Sequence, residues 1–253
     1  MRYMIVVVMV AALTTVAAAY DWEVAEIGGP DSEGSPYEGG EVDFTNNGFT
    51  ISSTGGDLWS NILGITLVYM EISGNFTIQY TIVEHTSNPS AVWSKCGAIV
   101  MQDLEPDSPY VFVQSTCSNN DAAVKDKGTK IITRPSRGGE AGPSSNGWAP
   151  LDWPVTYKMV REGDLFTVWV SLDGGKNFES IADPGDGKLD NSTLELDDPV
   201  ILGIAASGDE DGMAITTTAT IVDILINGVN TFAVEPGDKL ITNWAALKGD
   251  MMH

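Results

Sequence analysis

Apolar and polar residues alternate along this chain in short stretches, cut apart by clusters of Gly, Asn, Asp and Pro. No stretch keeps helical spacing of its apolar positions for more than a turn or two, so the pattern predicts an all-β protein. Strands are expected at 41–51, 65–71, 75–83, 92–102, 110–116, 129–134, 155–161, 165–172, 200–206 and 214–226. The longer connections then fall at 28–40, 118–128, 135–152, 183–199 and 207–213.

Two hairpins are predicted in detail. Glu162-Gly163-Asp164 divides two β-branched and aromatic runs, and a turn centred on Gly163 sets Tyr157 opposite Trp169 and Val160 opposite Phe166. Alternation puts Phe166, Val168 and Val170 on one face and Thr167, Trp169 and Ser171 on the other, one face for a core and one left available. The next residues, Ser171-Leu172-Asp173-Gly174-Gly175-Lys176-Asn177-Phe178, have the form of an Asp-box, whose Ser and Asp bond the turn's own backbone. The second hairpin turns at 103–109 and places Cys96 directly opposite Cys117, within reach of a disulfide, with two buried thiols as the alternative.

Compartment and charge narrow the classes of partner. Arg2, the apolar run Met4 to Val16 and Ala17-Ala18-Ala19 fit a secretory signal over 1–19, and the run is too short to span a bilayer. Export favours pairing of the two cysteines. The expected organisation is a signal peptide, one domain over 20–228 and a C-terminal tail over 229–253. With 13 Lys and Arg against 35 Asp and Glu the formal charge is −22, which repels nucleic acid and anionic lipid.

Asp21-Trp22 with Ile27-Gly28-Gly29, Gly55-Gly56-Asp57-Leu58-Trp59, Tyr69 with Ile72-Ser73-Gly74-Asn75-Phe76, Trp93-Ser94-Lys95-Cys96-Gly97, Trp153-Pro154, Ser171-x-Asp173-Gly174 and Leu202-Gly203-Ile204-Ala205 follow one another in a telling order. Together they resemble the secreted relatives of the "regulation of enolase protein"-type domain of unknown function, similar to concanavalin A-like lectins and glucanases. The resemblance spans roughly 21–228 and implies a concanavalin A-like jelly-roll sandwich of two antiparallel sheets, one of them concave. Where members often carry an Asp and an Arg, this chain has positions near Leu63 and Met101, so polar groups for a cleft are thinner here.

Chemistry is sparse. His85 is the only histidine besides His253, no Gly-x-Ser-x-Gly elbow accompanies it, and it reads as a surface residue. Glu41 with Asp43 and Glu195 with Asp197 have the i, i+2 spacing that brings carboxylates to one face, but the third carboxylate of the glucanase pattern is missing. Asp183, Asp186 and Asp190 gather oxygen ligands in one loop and make calcium a possible cofactor. Sugar recognition needs flat aromatic faces beside hydroxyl-bonding groups. Asp57, Trp59, Trp93, Lys95, Arg134, Trp148, Trp153, Tyr157 and Trp169 supply both over the concave sheet. The resulting expectation is a secreted, non-catalytic domain that binds an extracellular polysaccharide or other glycan. A structural or adhesive module and a glycoside hydrolase are the alternatives.

Overall fold

A computed structural model describes residues 20–28, 39–54, 56–88, 93–117, 128–144, 152–181, 191–208 and 215–232. In chain order the strands are β1 (Glu23–Ile27), β2 (Gly39–Thr45), β3 (Gly48–Thr54), β4 (Leu58–Trp59), β5 (Ile62–Leu63), β6 (Ile65–Ile72), β7 (Phe76–Asn88), β8 (Lys95–Met101), β9 (Tyr110–Thr116), β10 (Lys130–Arg134), β11 (Gly142–Pro143), β12 (Val155–Glu162), β13 (Leu165–Ser171), β14 (Glu179–Ser180), β15 (Asn191–Thr193), β16 (Val200–Ser207), β17 (Thr216–Ile226) and β18 (Val229–Asn230). One sheet runs β1-β6-β16-β8-β9-β10-β11, and the other β14-β13-β12-β7-β17-β3-β2 with β15 beside β13 and β18 beside β17. The chain passes between the sheets at β1 to β2, β3 to β6, β6 to β7, β7 to β8, β11 to β12, β15 to β16 and β16 to β17, which makes an all-β jelly-roll sandwich. That is the class the alternation predicts.

Burial shows how the two sheets differ. β7 and β12 alternate, with Ile78, Tyr80, Ile82, Tyr157 and Met159 buried between the sheets. β8, β9 and β16 are buried at every position, so the seven-stranded sheet is covered on both faces. Its inner face carries Ala98, Val100, Val111, Val113, Leu202 and Ile204. Its outer face carries Leu67, Ile99, Phe112, Ile132 and Ala205, roofed by Leu58 and Leu63 of the small β4-β5 hairpin. Each Val, Leu, Ile or Phe side chain among these contributes about 1.5–3 kcal/mol on full burial.

Several expectations change. The run 41–51 is not one strand but the hairpin β2-β3, turning at Asn46-Asn47, where Asn47 Nδ2 donates to Asp223 Oδ1 at 2.9 Å. β12 and β13 pair Glu162 with Leu165 around a two-residue turn, one position from the expected register. Tyr157 therefore faces Val170 in the core, and Lys158 faces Trp169. In the β8-β9 hairpin Gln102 N donates to Pro109 O at 3.1 Å, which sets Cys96 opposite Ser115 rather than Cys117. Cys117 N instead donates to Ser94 O, leaving the cysteines diagonal neighbours, buried and unbonded. The expected boundary at 228 falls inside a hairpin: Asn227 and Gly228 take φ of 52° and 78°, β18 pairs with β17, and Phe232 stacks on Trp22 at 5.8 Å. β15 lies in the expected loop 183–199, and His85 is buried. The signal segment 1–19 lies outside the described residues, in which no helix is long and apolar enough to cross a membrane.

Candidate functional site

The outer face of the seven-stranded sheet turns polar at one end. Lys95 and Thr116 are cross-strand partners on β8 and β9, and Lys130 of β10 lies directly opposite Gln114 of β9. Alternation sends all four side chains to the face that carries Ile99, Phe112 and Ile132. Within β8 the pairing to β9 is interrupted at Gly97 and Ala98, where Ala98 N donates to the Tyr80 hydroxyl at 2.9 Å. A Cβ on Gly97 would stand 1.8 Å from Val113 O, so glycine alone fits that close approach.

The roof over this end is fixed by a second close approach. A Cβ on either Gly56 or Gly64 would stand 2.7 Å from the other's Cα, and Gly64 N donates to Asp57 O at 2.7 Å. The crossing holds Asp57 over the sheet. Its Oδ1 accepts from Leu58 N at 2.6 Å and pairs with Lys95 Nζ, and both charged side chains are almost wholly buried. A buried pair of this kind is retained only with good geometry, because desolvation opposes it.

Asp57, Trp59, Trp93, Lys95, Gln114 and Lys130 enclose a pocket of about 220 Å³. Trp59 and Trp93 are half-buried, and the Lys130 ammonium lies 5.8 Å from the centre of the Trp93 ring. Gln114 is 1% exposed and its Nε2 has no hydrogen-bond partner. An unmade bond of that kind costs about 1–3 kcal/mol. The volume is below the roughly 300–1,000 Å³ of pockets that engulf a drug-sized ligand, and suits a single ring.

Four of the expected sugar-binding residues, Asp57, Trp59, Trp93 and Lys95, thus meet in one pocket. Arg134 shares the sheet face but is buried and committed, its two terminal nitrogens donating to Pro106 O at 2.8 Å and Ile62 O at 2.9 Å. It ties the β8-β9 turn to β5 and has a structural role. Tyr157 stacks on Tyr80 in the core and bonds the Thr129 hydroxyl at 3.0 Å. Trp153 packs against the same core and beside His85. Trp169 lies on the other sheet under the Lys158 ammonium, 4.6 Å from its ring centre. Trp148, Asp183, Asp186 and Asp190 lie outside the described residues, among which no group of three or more His, Cys, Asp or Glu could hold a metal.

Gln114 and Lys130 are the residues that sequence reasoning missed. Lys130 opens β10, and marking Arg134 on the same strand already implied that Lys130, four residues earlier, shares its face.

The remaining polar constellations are structural. In the Asp-box, Ser171 Oγ accepts from Gly175 N at 2.9 Å, and Asp173 accepts from the backbone of Lys176 and Asn177. Those bonds, Asn177 N first, hold the Asp173 carboxyl well below its ordinary value. Arg161 Nη1 pairs with Asp198 at 2.6 Å and clasps the far end of the sandwich. Glu41 and Asp43 are exposed on the edge strand β2, and Glu195 and Asp197 are exposed too. Asp57 is the one carboxylate among the described pocket residues, so those residues supply no carboxylate pair of the kind glycoside hydrolysis uses.

No protein-family model matches the chain, and no curated protein matches it. Among solved structures, a functionally unknown protein from Saccharomyces cerevisiae is similar at 13% identity and a TM-score of 0.49, over 76% of this chain and 94% of that one. A carbohydrate-binding module from Bacillus subtilis is similar at 17% identity and 0.39, over 78% and 97%. A xylan β-1,4-xylosidase from Bacillus halodurans is similar at 14% identity and 0.45, over 70% of this chain, which spans only 32% of that enzyme.

Proposed function

We propose that this chain is an exported, non-catalytic carbohydrate-binding domain that takes one sugar residue of an extracellular glycan into the pocket between Asp57 and Lys130. The observation that carries the reading is the pocket's make-up. Two half-buried indoles supply apolar faces for a pyranose, and Asp57, Lys95, Gln114 and Lys130 supply the polar part of the lining. Trp59 is held by the β4-β5 roof and Trp93 enters β8, so both faces are positioned before any ligand arrives.

A glycan array screened with the protein, with Trp59→Ala and with Trp93→Ala tests this, in calcium and in chelator because of Asp183, Asp186 and Asp190. Selective binding that falls about tenfold or more in either variant is expected, on the scale of one lost aromatic contact of about 1.5 kcal/mol. Silence across the array, or binding indifferent to both variants, overturns the reading. A structural or adhesive module is the second reading, favoured by the apolar packing that closes the rest of this sheet face beneath Leu58 and Leu63.

A further inference from the structure

We infer that the open margin of the sandwich, between the edge strands β1 and β2, is a docking surface for this chain's own C-terminal segment, with Leu240, Ile241 and Trp244 laid over Val24 and Phe44. This surface is separate from the pocket, and its occupant does not depend on what the pocket binds.

The two margins of the sandwich are closed differently. On one side Thr133 of β10 and Ser192 of β15 share a hydroxyl bond of 2.7 Å, and Ile181, Leu194 and Leu196 are buried in the core between the sheets. On the other side β1 ends the seven-stranded sheet and β2 ends the nine-stranded one. Val24 pairs with Val68 and Phe44 with Phe49, and both partners belong to the core between the sheets, so Val24 and Phe44 face inward as well. Inward positions of a sandwich are ordinarily covered, yet Val24 is 48% exposed and Phe44 49%.

The chain itself points to what covers them. Phe232 bridges this margin, its ring centre 5.8 Å from that of Trp22 beside β1 and 6.2 Å from that of Phe44 on β2. The sequence continues to Leu240-Ile241-Thr242-Asn243-Trp244, apolar at three of these positions and set between Lys239 and Lys248. The eight residues from Phe232 to Leu240 span at most about 29 Å. Val24 lies two positions beyond Trp22, about 7 Å along the strand, so the run can reach the whole margin.

Charge favours the same occupant. Asp21, Glu23, Glu41 and Asp43 are exposed along this margin, and Lys239 and Lys248 would bring two of the chain's 13 basic residues to it. A second copy packed on the same patch would instead set these carboxylates against their own counterparts. A tethered segment also meets the margin at an effective concentration on the order of millimolar. Covered in this way, two sheet edges are withheld from pairing with another molecule.

Hydroxyl-radical footprinting of the full chain, read residue by residue by mass spectrometry, tests this. With the segment docked about nine-tenths of the time, Trp244 is labelled about tenfold more slowly than in the urea-unfolded protein. Phe44→Asp should return Trp244 to the unfolded rate, and Trp244→Asp should raise the labelling of Phe44. Phe49, fully buried, should stay unlabelled in both variants, which checks that the sandwich is intact. Should Phe44→Asp fail that check, the reciprocal Trp244→Asp decides alone.

Labelling of Trp244 at the unfolded rate in the parent protein overturns the inference. So does protection of Trp244 that survives Phe44→Asp in a folded variant, or a Phe44 indifferent to Trp244→Asp. Protection that is lost on dilution assigns the margin to a second copy and overturns it too.

Discussion

Protonating His85 should cost this protein stability in a defined pH window. The side chain lies inside the sandwich, with Nε2 2.9 Å from Thr217 Oγ1, the Trp153 ring at 5.8 Å, and Nδ1 without a partner. None of these contacts is charged. Burial lowers its pKa from 6.5 to about 3, because an imidazolium would lose its hydration and carry a second N–H with no acceptor. Between those values the unfolded chain binds the proton and the folded chain does not. The stabilisation is therefore complete above pH 6.5 and is lost as pH falls toward 3. Each pKa unit is worth about 1.36 kcal/mol, so the loss attributable to His85 is about 2 kcal/mol at pH 5 and about 3 kcal/mol at pH 4.

The 35 carboxyl groups titrate over part of the same range, so the single curve does not isolate the effect. Comparison with His85→Gln does, since the shared background cancels in the difference. Urea unfolding at pH 8, 6.5, 5 and 4 should show the His85 protein losing about 2 kcal/mol relative to the variant by pH 5. Parallel curves down to pH 4 would refute the reasoning. So would an imidazole signal from His85 titrating near 6.5 in the native protein.

Two further perturbations follow. Asp57→Ala or Lys95→Met alone strands a buried charge and should cost about 3–5 kcal/mol in urea unfolding, while the double variant Asp57→Leu with Lys95→Met recovers most of that. Single variants each costing under about 1 kcal/mol would show that water reaches the pair. For the cysteines, burial pushes the Cys117 thiol up to about 11 and Cys96 higher still. At pH 8 native Cys117 should react with a thiol reagent about a hundredfold more slowly than a free cysteine, while both label at once in denaturant without reductant. Failure to label in denaturant until reductant is added would mean that the pair is oxidised.

What the sequence revealed depended on how local each feature was. The Asp-box was legible because all its bonds lie between Ser171 and Asn177. The faces of β13 were legible because period two needs no partner. Register was not, since it is fixed by which turn residue closes the loop. A single-residue difference at Gly163 moved Tyr157 from opposite Trp169 to opposite Val170. A two-residue difference in the β8-β9 loop separated the cysteines. Aromatic residue type was equally ambiguous, since Trp59 lines a pocket and Tyr157 fills the core with nothing in their identity to distinguish them.

The same logic explains why the pocket lies where it does. β8, β9 and β16 are apolar on both faces over their middles, so the outer face of that sheet must be roofed, and β4-β5 roofs it with Leu58 and Leu63. The roof reaches Asp57 at the Gly56–Gly64 crossing, and there the sheet beneath changes from Ile99 and Phe112 to Lys95, Gln114 and Thr116. Apolar packing cannot continue over those side chains without stranding them. The Asp57–Lys95 pair satisfies one, and the pocket lies over this end of the sheet, with Gln114 in its lining. A packed outer face and a binding pocket are therefore consistent on this sandwich: the first sets the edge of the second. Gln114→Leu removes the Nε2 that has no partner and should leave folding within about 1 kcal/mol of the parent in urea unfolding while weakening selective binding. A polar group retained where an apolar one folds as well is the signature by which the pocket separates from the packing around it.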